Sequence, residues 1–190
     1  MRFNGSRSRL SWLTIRDDGE SQIGSAPLLI TAELPPEMLG WADGLRRRHY
    51  PPERNRLRAH VTLFHALPPS SEAEIRRLLA DISRGRAPDA RISGIMNLGR
   101  GTALDVDSPG MVSLHSLLSE RLHGLLSAQD SHPLRLHITV QNKVQPAIAR
   151  ALQAELRKTV ERRAFRFRGF GLYAWEEGLW REIAQYPFRG

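Results

Sequence analysis

A β-like run carrying His-x-Thr, followed by a proline and an amphipathic helical stretch, occurs twice in this 190-residue chain, around residue 60 and again 77 residues on, around residue 137. That repetition restricts the fold more than any other feature. Each unit alone is too small to bury much apolar surface, so two similar lobes sharing one core are expected. In the first unit, residues 58–66 (RAHVTLFHA) read as a strand, and Pro68-Pro69-Ser70-Ser71 ends it. Ser71 and Glu74 are spaced as a capping box for a helix to about Arg84. In the second, residues 134–141 (LRLHITVQ) read as a strand, and Pro146 opens a helix to about Arg162 with Ile148, Leu152 and Leu156 on one stripe.

The remaining elements fit around these units. Residues 27–34 form a short apolar run that stops at Pro35-Pro36, a strand leading into a helix over about 36–49. Two β runs, about 91–98 and 102–107, meet at the turn Gly99-Arg100-Gly101, and leucines at helical spacing fill 112–126. Residues 165–175 and 179–186 read as a closing hairpin around Glu176-Glu177-Gly178. This order predicts an α+β fold, a bilobal pseudo-twofold duplication with two antiparallel-rich sheets flanked by helices around a central cleft. It occupies residues 25–190 as one domain. Residues 1–24, rich in Gly, Ser, Arg and Asp, read as a flexible N-terminal extension.

Composition narrows the chemistry. The chain has no cysteine, which removes disulfides, thiolate metal sites and cysteine nucleophiles, and suits a reducing compartment such as the cytoplasm. No apolar run reaches the roughly 18 residues of a membrane span, so no membrane partner is expected. The formal charge of +8, from 28 Lys and Arg against 20 Asp and Glu, favours phosphate-bearing partners. Nothing in the sequence demands a protein partner, and a monomer is expected.

Alternation along a strand sends Leu136, Ile138 and Val140 to one face and Arg135, His137, Thr139 and Gln141 to the other. Likewise Val61 and Leu63 oppose Arg58, His60, Thr62 and Phe64. Both His-Thr pairs therefore sit on the polar side of a strand with a buried back. Imidazole, with an ordinary pKa near 6.5, can act as general acid or general base near neutrality, and phosphodiester cleavage needs one of each. Threonine hydroxyls two residues along can donate to non-bridging phosphate oxygens. One such histidine is more often structural than catalytic; two in matching contexts reverse that balance.

The segments His60-Val61-Thr62-Leu63 and His137-Ile138-Thr139-Val140 resemble the paired signatures of the 2H phosphoesterase superfamily, in particular its 2′-5′ RNA ligase and RNA 2′,3′-cyclic phosphodiesterase branch. The resemblance covers about Leu28 to Phe188. It implies a cleft between lobes, no cofactor and no metal, and hydrolysis of a 2′,3′-cyclic phosphate on RNA or a nucleotide to a 2′-phosphate, with reversible 2′-5′ ligation open to the same site. His60 would protonate the leaving 3′ oxygen, His137 would activate water, and Thr62 and Thr139 would bind phosphate. Many members carry a basic residue soon after the second motif; here Gln141-Asn142 intervene before Lys143.

Lesser candidates are Phe64 and Tyr173, which could stack on a base, and Lys143 as a substrate contact. His65, on the Val61 side by alternation, reads as packed or at a strand end. His49, His115, His123 and His132 read as surface residues. Arg46-Arg47-Arg48 and Arg162-Arg163, with Arg166 and Arg168, read as solvated faces. Two other functions remain: a catalytically weak RNA- or nucleotide-binding module, and a metallohydrolase using His60, His65 and His137. Against the latter, no Asp or Glu lies within four residues of His60 or His137.

Overall fold

The computed structural model describes residues 26–128, 130 and 132–190, so the extension expected over residues 1–24 lies outside the described residues. The described chain runs β1 (Leu28–Glu33), α1 (Pro36–His49), β2 (Val61–Leu67), α2 (Glu72–Ile82), β3 (Asp89–Asn97), β4 (Thr102–Asp107), α3 (Pro109–Arg121), β5 (His137–Gln141), α4 (Pro146–Thr159), β6 (Ala164–Arg166), β7 (Gly169–Glu176) and β8 (Leu179–Pro187). The α+β class holds. No helix among the described residues is long and apolar enough to cross a membrane.

All strands join one antiparallel sheet in the order β6-β3-β4-β5-β2-β1-β7-β8. The two sheets expected from sequence are therefore continuous. They meet where β2 borders β5, through the registered pair Val61 and Ile138. This sheet cannot be flat. At about 4.8 Å per strand, β6 and β7 would lie about 29 Å apart, whereas the chain from Arg166 to Gly169 reaches at most about 11 Å. The sheet must roll until its outer parts approach each other. Phe167 and Arg168 bridge the gap, their backbone N–H groups donating to Pro88 O (3.1 Å) and Glu33 O (2.8 Å). Residues 165–175, expected to be a single hairpin arm, are thus split between two distant positions in the sheet.

One apolar cluster holds the molecule together. It combines Ile30 and Ala32 of β1, Val61 and Leu63 of β2, and Ile138 and Val140 of β5 with Met38, Ala42 and Leu45 of α1, Ile75 and Leu79 of α2, Met111 and Leu118 of α3, and Leu152 and Leu156 of α4. Helix ends depart from the sequence expectation where local turns intervene. Ser71 does not cap α2 in the expected way: residues 69–71 form a 3₁₀ turn, and the Ser71 hydroxyl donates to Pro68 O at 2.5 Å. α3 starts three residues before Val112 because Ser108 accepts from Met111 N at 3.3 Å, and it ends at Arg121 rather than 126. The β7–β8 turn places Glu177 (φ 49°) and Gly178 (φ 81°) in the left-handed region, the geometry of a two-residue hairpin loop.

Two of the bulges in the central strands bear on the motif faces. Thr31 pairs with Thr62 but Ile30 pairs with Phe64, so one residue of β2 is extra at 63. On β5, Ala103 pairs with Thr139 but Thr102 pairs with Gln141, so one residue is extra at 140. In each strand the second residue after the motif threonine consequently turns to the helix side. Phe64 is fully buried and stacks on His115, ring centroids 4.6 Å apart. Gln141 is buried beside Thr102, whose hydroxyl lies 3.4 Å from its Oε1.

Candidate active site

The pair Val61–Ile138 fixes the arrangement of the two motifs. One residue to either side, the antiparallel register sets His60 opposite Thr139 and Thr62 opposite His137. Their strand neighbours Val61, Leu63, Ile138 and Val140 are buried, whereas His60, Thr62, His137 and Thr139 are only partly covered, so the four share the face turned away from the apolar cluster. The two histidines stand diagonally across adjacent strands, a spacing of about 7–8 Å between backbones. That leaves room for one phosphate group between the rings.

Both imidazoles are held in the same way. His60 Nδ1 lies 2.7 Å from Arg58 O, and His137 Nδ1 lies 2.7 Å from Arg135 O, in each case the carbonyl two residues back. A carbonyl only accepts, so Nδ1 carries the hydrogen and Nε2 is the atom left for a ligand. Burial pushes His60 down to about 4; the Arg58 carbonyl partly offsets this, and the charges of Arg46, His137 and His65 push further down. Burial also lowers His137, with the Arg135 carbonyl opposing and His65 and Arg135 adding to the depression; Asp105 works against it. Both rings are thereby held neutral near pH 7.

α1 sets the approach to His60. Asp43 accepts from Ala59 N (2.6 Å) and Arg58 Nε (3.2 Å). Arg46, one turn on, donates to Asn55 Oδ1 (3.0 Å), Leu57 O (3.0 Å) and Thr139 O (2.7 Å), tying the loop before the first motif to the backbone of the second. Arg46 is therefore buried, contrary to the solvated face expected for Arg46-Arg47-Arg48. The helical spacing of Met38, Ala42 and Leu45 includes position 46 in its stripe, a signal the charge obscured.

Other candidates divide sharply. Tyr173 lies on the same face as Leu29, its strand partner, and its hydroxyl donates to Glu33 Oε1 (3.2 Å), which also accepts from the Thr31 hydroxyl (2.5 Å). Burial raises both Glu33 and Tyr173. Phe64 is in the core and offers no surface to a base, because the bulge at 63 reverses its side. His115, expected at the surface, is buried against it. Lys143 is exposed in the turn after β5, with φ 58° and its N–H donating to Asn142 Oδ1 at 2.7 Å.

The same bulge brings His65 to the site face, against the alternation that assigned it to the packed side. Its Nδ1 lies 2.9 Å from Asp130 Oδ1, and Asp130 belongs to the loop entering β5. Sequence reasoning missed Asp130, for which a loop position between Ser127 and His132 gives no periodic signal. Asp105, the β4 partner of His137, also escaped notice. Among the described residues, no group of three or more His, Asp or Glu side chains is arranged to hold a metal ion. A surface depression of about 540 Å³ lined by Pro36, Met38, Arg163 and Phe165 contains neither motif histidine.

Comparison with known proteins agrees with this fold. The family model described as the 2′-5′ RNA ligase superfamily matches residues 34–179. No curated protein matches the chain. Among solved structures, E. coli LigT complexed with 3′-AMP is similar at 20% identity and TM-score 0.57, covering 88% of this chain and 100% of that one. TT0787 of Thermus thermophilus is similar at 17% identity and TM-score 0.58, covering 86% and 98%. A structure described as a phosphoesterase matches at 20% identity and TM-score 0.55, covering 88% and 100%. At these identities the structures bear on the fold.

Proposed function

The chain belongs to the 2′-5′ RNA ligase superfamily, and on that premise we propose that it hydrolyses a 2′,3′-cyclic phosphate on RNA or a nucleotide to the 2′-phosphate. The observation that carries this reading is the matched pair of imidazoles, each with Nδ1 bound to a carbonyl and Nε2 free, on the face they share with Thr62 and Thr139. The nucleotide class is supported by the 3′-AMP that E. coli LigT holds.

In this reaction the water oxygen bonds to phosphorus as the bond from phosphorus to the 3′ oxygen breaks. His137 Nε2, kept neutral by burial of the ring, takes the proton from water. His60 gives a proton to the departing 3′ oxygen. His60 must first acquire that proton, and the anionic phosphate supplies the reason: it favours imidazolium against the burial that depresses it. Thr62 and Thr139 donate to the non-bridging oxygens as charge grows there. With a ribose 5′ hydroxyl in place of water, the same step, in which the hydroxyl proton passes to His137 and the 3′ oxygen leaves with a proton from His60, would join ends through a 2′-5′ linkage, and its reverse would open that linkage. Lys143 and Tyr173 are secondary contacts in this scheme.

A panel of 2′,3′-cyclic mononucleotides and cyclic-phosphate-ended RNA oligonucleotides tests the reading. Release of 2′-phosphate products supports it. Binding of these compounds without turnover would move the protein to the second reading, a nucleotide-binding module, which the strong depression of His60 favours.

A further inference from the structure

We propose that His65, clamped by the buried carboxylate of Asp130, is a third phosphate-contacting residue of this site, its Nε2–H donating to a substrate phosphate oxygen on the His137 side. The inference rests on the phosphodiesterase reading and extends it.

The geometry sets His65 apart from the two motif histidines. Their Nδ1 atoms face neutral carbonyls, which leaves Nε2 as a lone pair suited to moving protons. The Nδ1 of His65 instead faces an ionised carboxylate, which holds the ring by a charge-assisted hydrogen bond rather than by a neutral carbonyl. Asp130 is built for this. Its side chain is 1% exposed, and besides the ring it accepts from the backbone N–H of His65 at 3.0 and 3.1 Å and from the Ser127 hydroxyl at 2.9 Å. Burial alone would raise the Asp130 carboxyl, but these hydrogen bonds outweigh it and hold it below the usual carboxylate range. The carboxylate is thus ionised and fixed, and one edge of the imidazole is fixed with it.

The opposite edge is available. The His65 side chain is 41% exposed although its anchor is buried. Along β2 the site face reads His60, Thr62, His65, and along β5, running the other way, Thr139, His137, Arg135. His65 therefore flanks His137 beyond Thr62. It lies near enough to both His60 and His137 to act on them electrostatically. Other charged or polar groups on this face are Arg135, Asp105 and the Glu33–Tyr173 pair. His60 and His137 are committed to the proton transfers, and a carboxylate-anchored N–H donor beside them can hold the phosphate without joining those transfers.

Two experiments test this. The first replaces His65→Gln, which keeps a hydrogen-bond donor for Asp130 and removes the imidazole Nε2–H, with Asp130→Asn as the positioning variant. Both should raise KM for a 2′,3′-cyclic mononucleotide about tenfold or more while kcat changes by less than about threefold, the reverse of the kcat loss expected for His60→Ala. Unchanged KM in His65→Gln with a native circular dichroism spectrum overturns the proposal. The second uses the unaltered protein and needs no turnover: inorganic phosphate and 2′-AMP are titrated while imidazole nitrogens are followed by NMR. A saturable shift of His65 Nε2 supports the contact, and a shift confined to His60 and His137 overturns it. Failure of the wild-type protein to hydrolyse any cyclic phosphate would sink the function, and the NMR titration would still decide His65.

Discussion

A histidine whose Nδ1 is bound to a carbonyl has one nitrogen left for chemistry, and both His60 and His137 are in that position. Replacing either by alanine should lower kcat by about 10²- to 10⁴-fold in a cyclic-nucleotide assay, with the fold intact by circular dichroism. Thr62→Val and Thr139→Val keep shape and lose a hydroxyl, and each should cost about tenfold in kcat with little change in ligand binding. The depressed pKa of His60 gives a second test. Unfolded, the ring binds a proton near pH 6.5; folded, near 4. Between those values the unfolded chain holds a proton the native state lacks, so the contribution of His60 to stability is complete above pH 6.5 and is lost as pH falls toward 4. Urea unfolding at pH 7.5 and 4.5 should therefore show a smaller pH-dependent loss for His60→Gln than for the wild type. Ligand binding follows the opposite trend, since an anion favours the protonated ring: 2′-AMP should bind more tightly as pH drops from 7 toward 5, with proton uptake measurable by calorimetry in buffers of different ionisation heat.

At the level of elements, α1 does more than cover the sheet. Arg46 satisfies three oxygens with one guanidinium, and one of them is the carbonyl of Thr139 beside the thin contact of β2 with β5. Arg46→Met keeps the bulk and orphans those oxygens, and should cost about 2–4 kcal/mol in urea unfolding along with a drop in activity as the two motifs lose register. Strands, helices and the two motif faces were legible in the sequence because alternation and helical spacing are set locally. The bulges were not. An extra residue in β2 is decided by what β1 offers across the ladder, and alternation alone places Phe64 on the site face and His65 on the Val61 side, each on the wrong side. The same cause misplaces Gln141. Asp130 and Asp105 reach the histidines from other segments, so the rule that found no carboxylate within four residues of a motif histidine was true along the chain and uninformative across the sheet.

For the molecule as a whole, proton transfer and charge neutralisation are assigned to side chains already in place, and activity should survive exhaustive EDTA treatment; loss on chelation with recovery on adding a divalent ion would reject the two-histidine mechanism. The basic charge should show in binding to longer substrates, with RNA oligonucleotides losing affinity more steeply with salt than a cyclic mononucleotide. The rolled sheet has a further consequence, for synthesis on the ribosome. β1 lies between β2 and β7, so its second edge stays open from the time β2 is complete at Leu67 until Gly169 appears. At about 5–20 residues per second that interval lasts about 5–20 s. Both histidines and both threonines are made within it or before it, yet the strand that supports the first motif still presents the apolar edge Leu28-Leu29-Ile30 to anything that can pair with it. The nascent chain is therefore most exposed to aggregation, and most in need of a chaperone, at the stage when it already carries every proposed catalytic group.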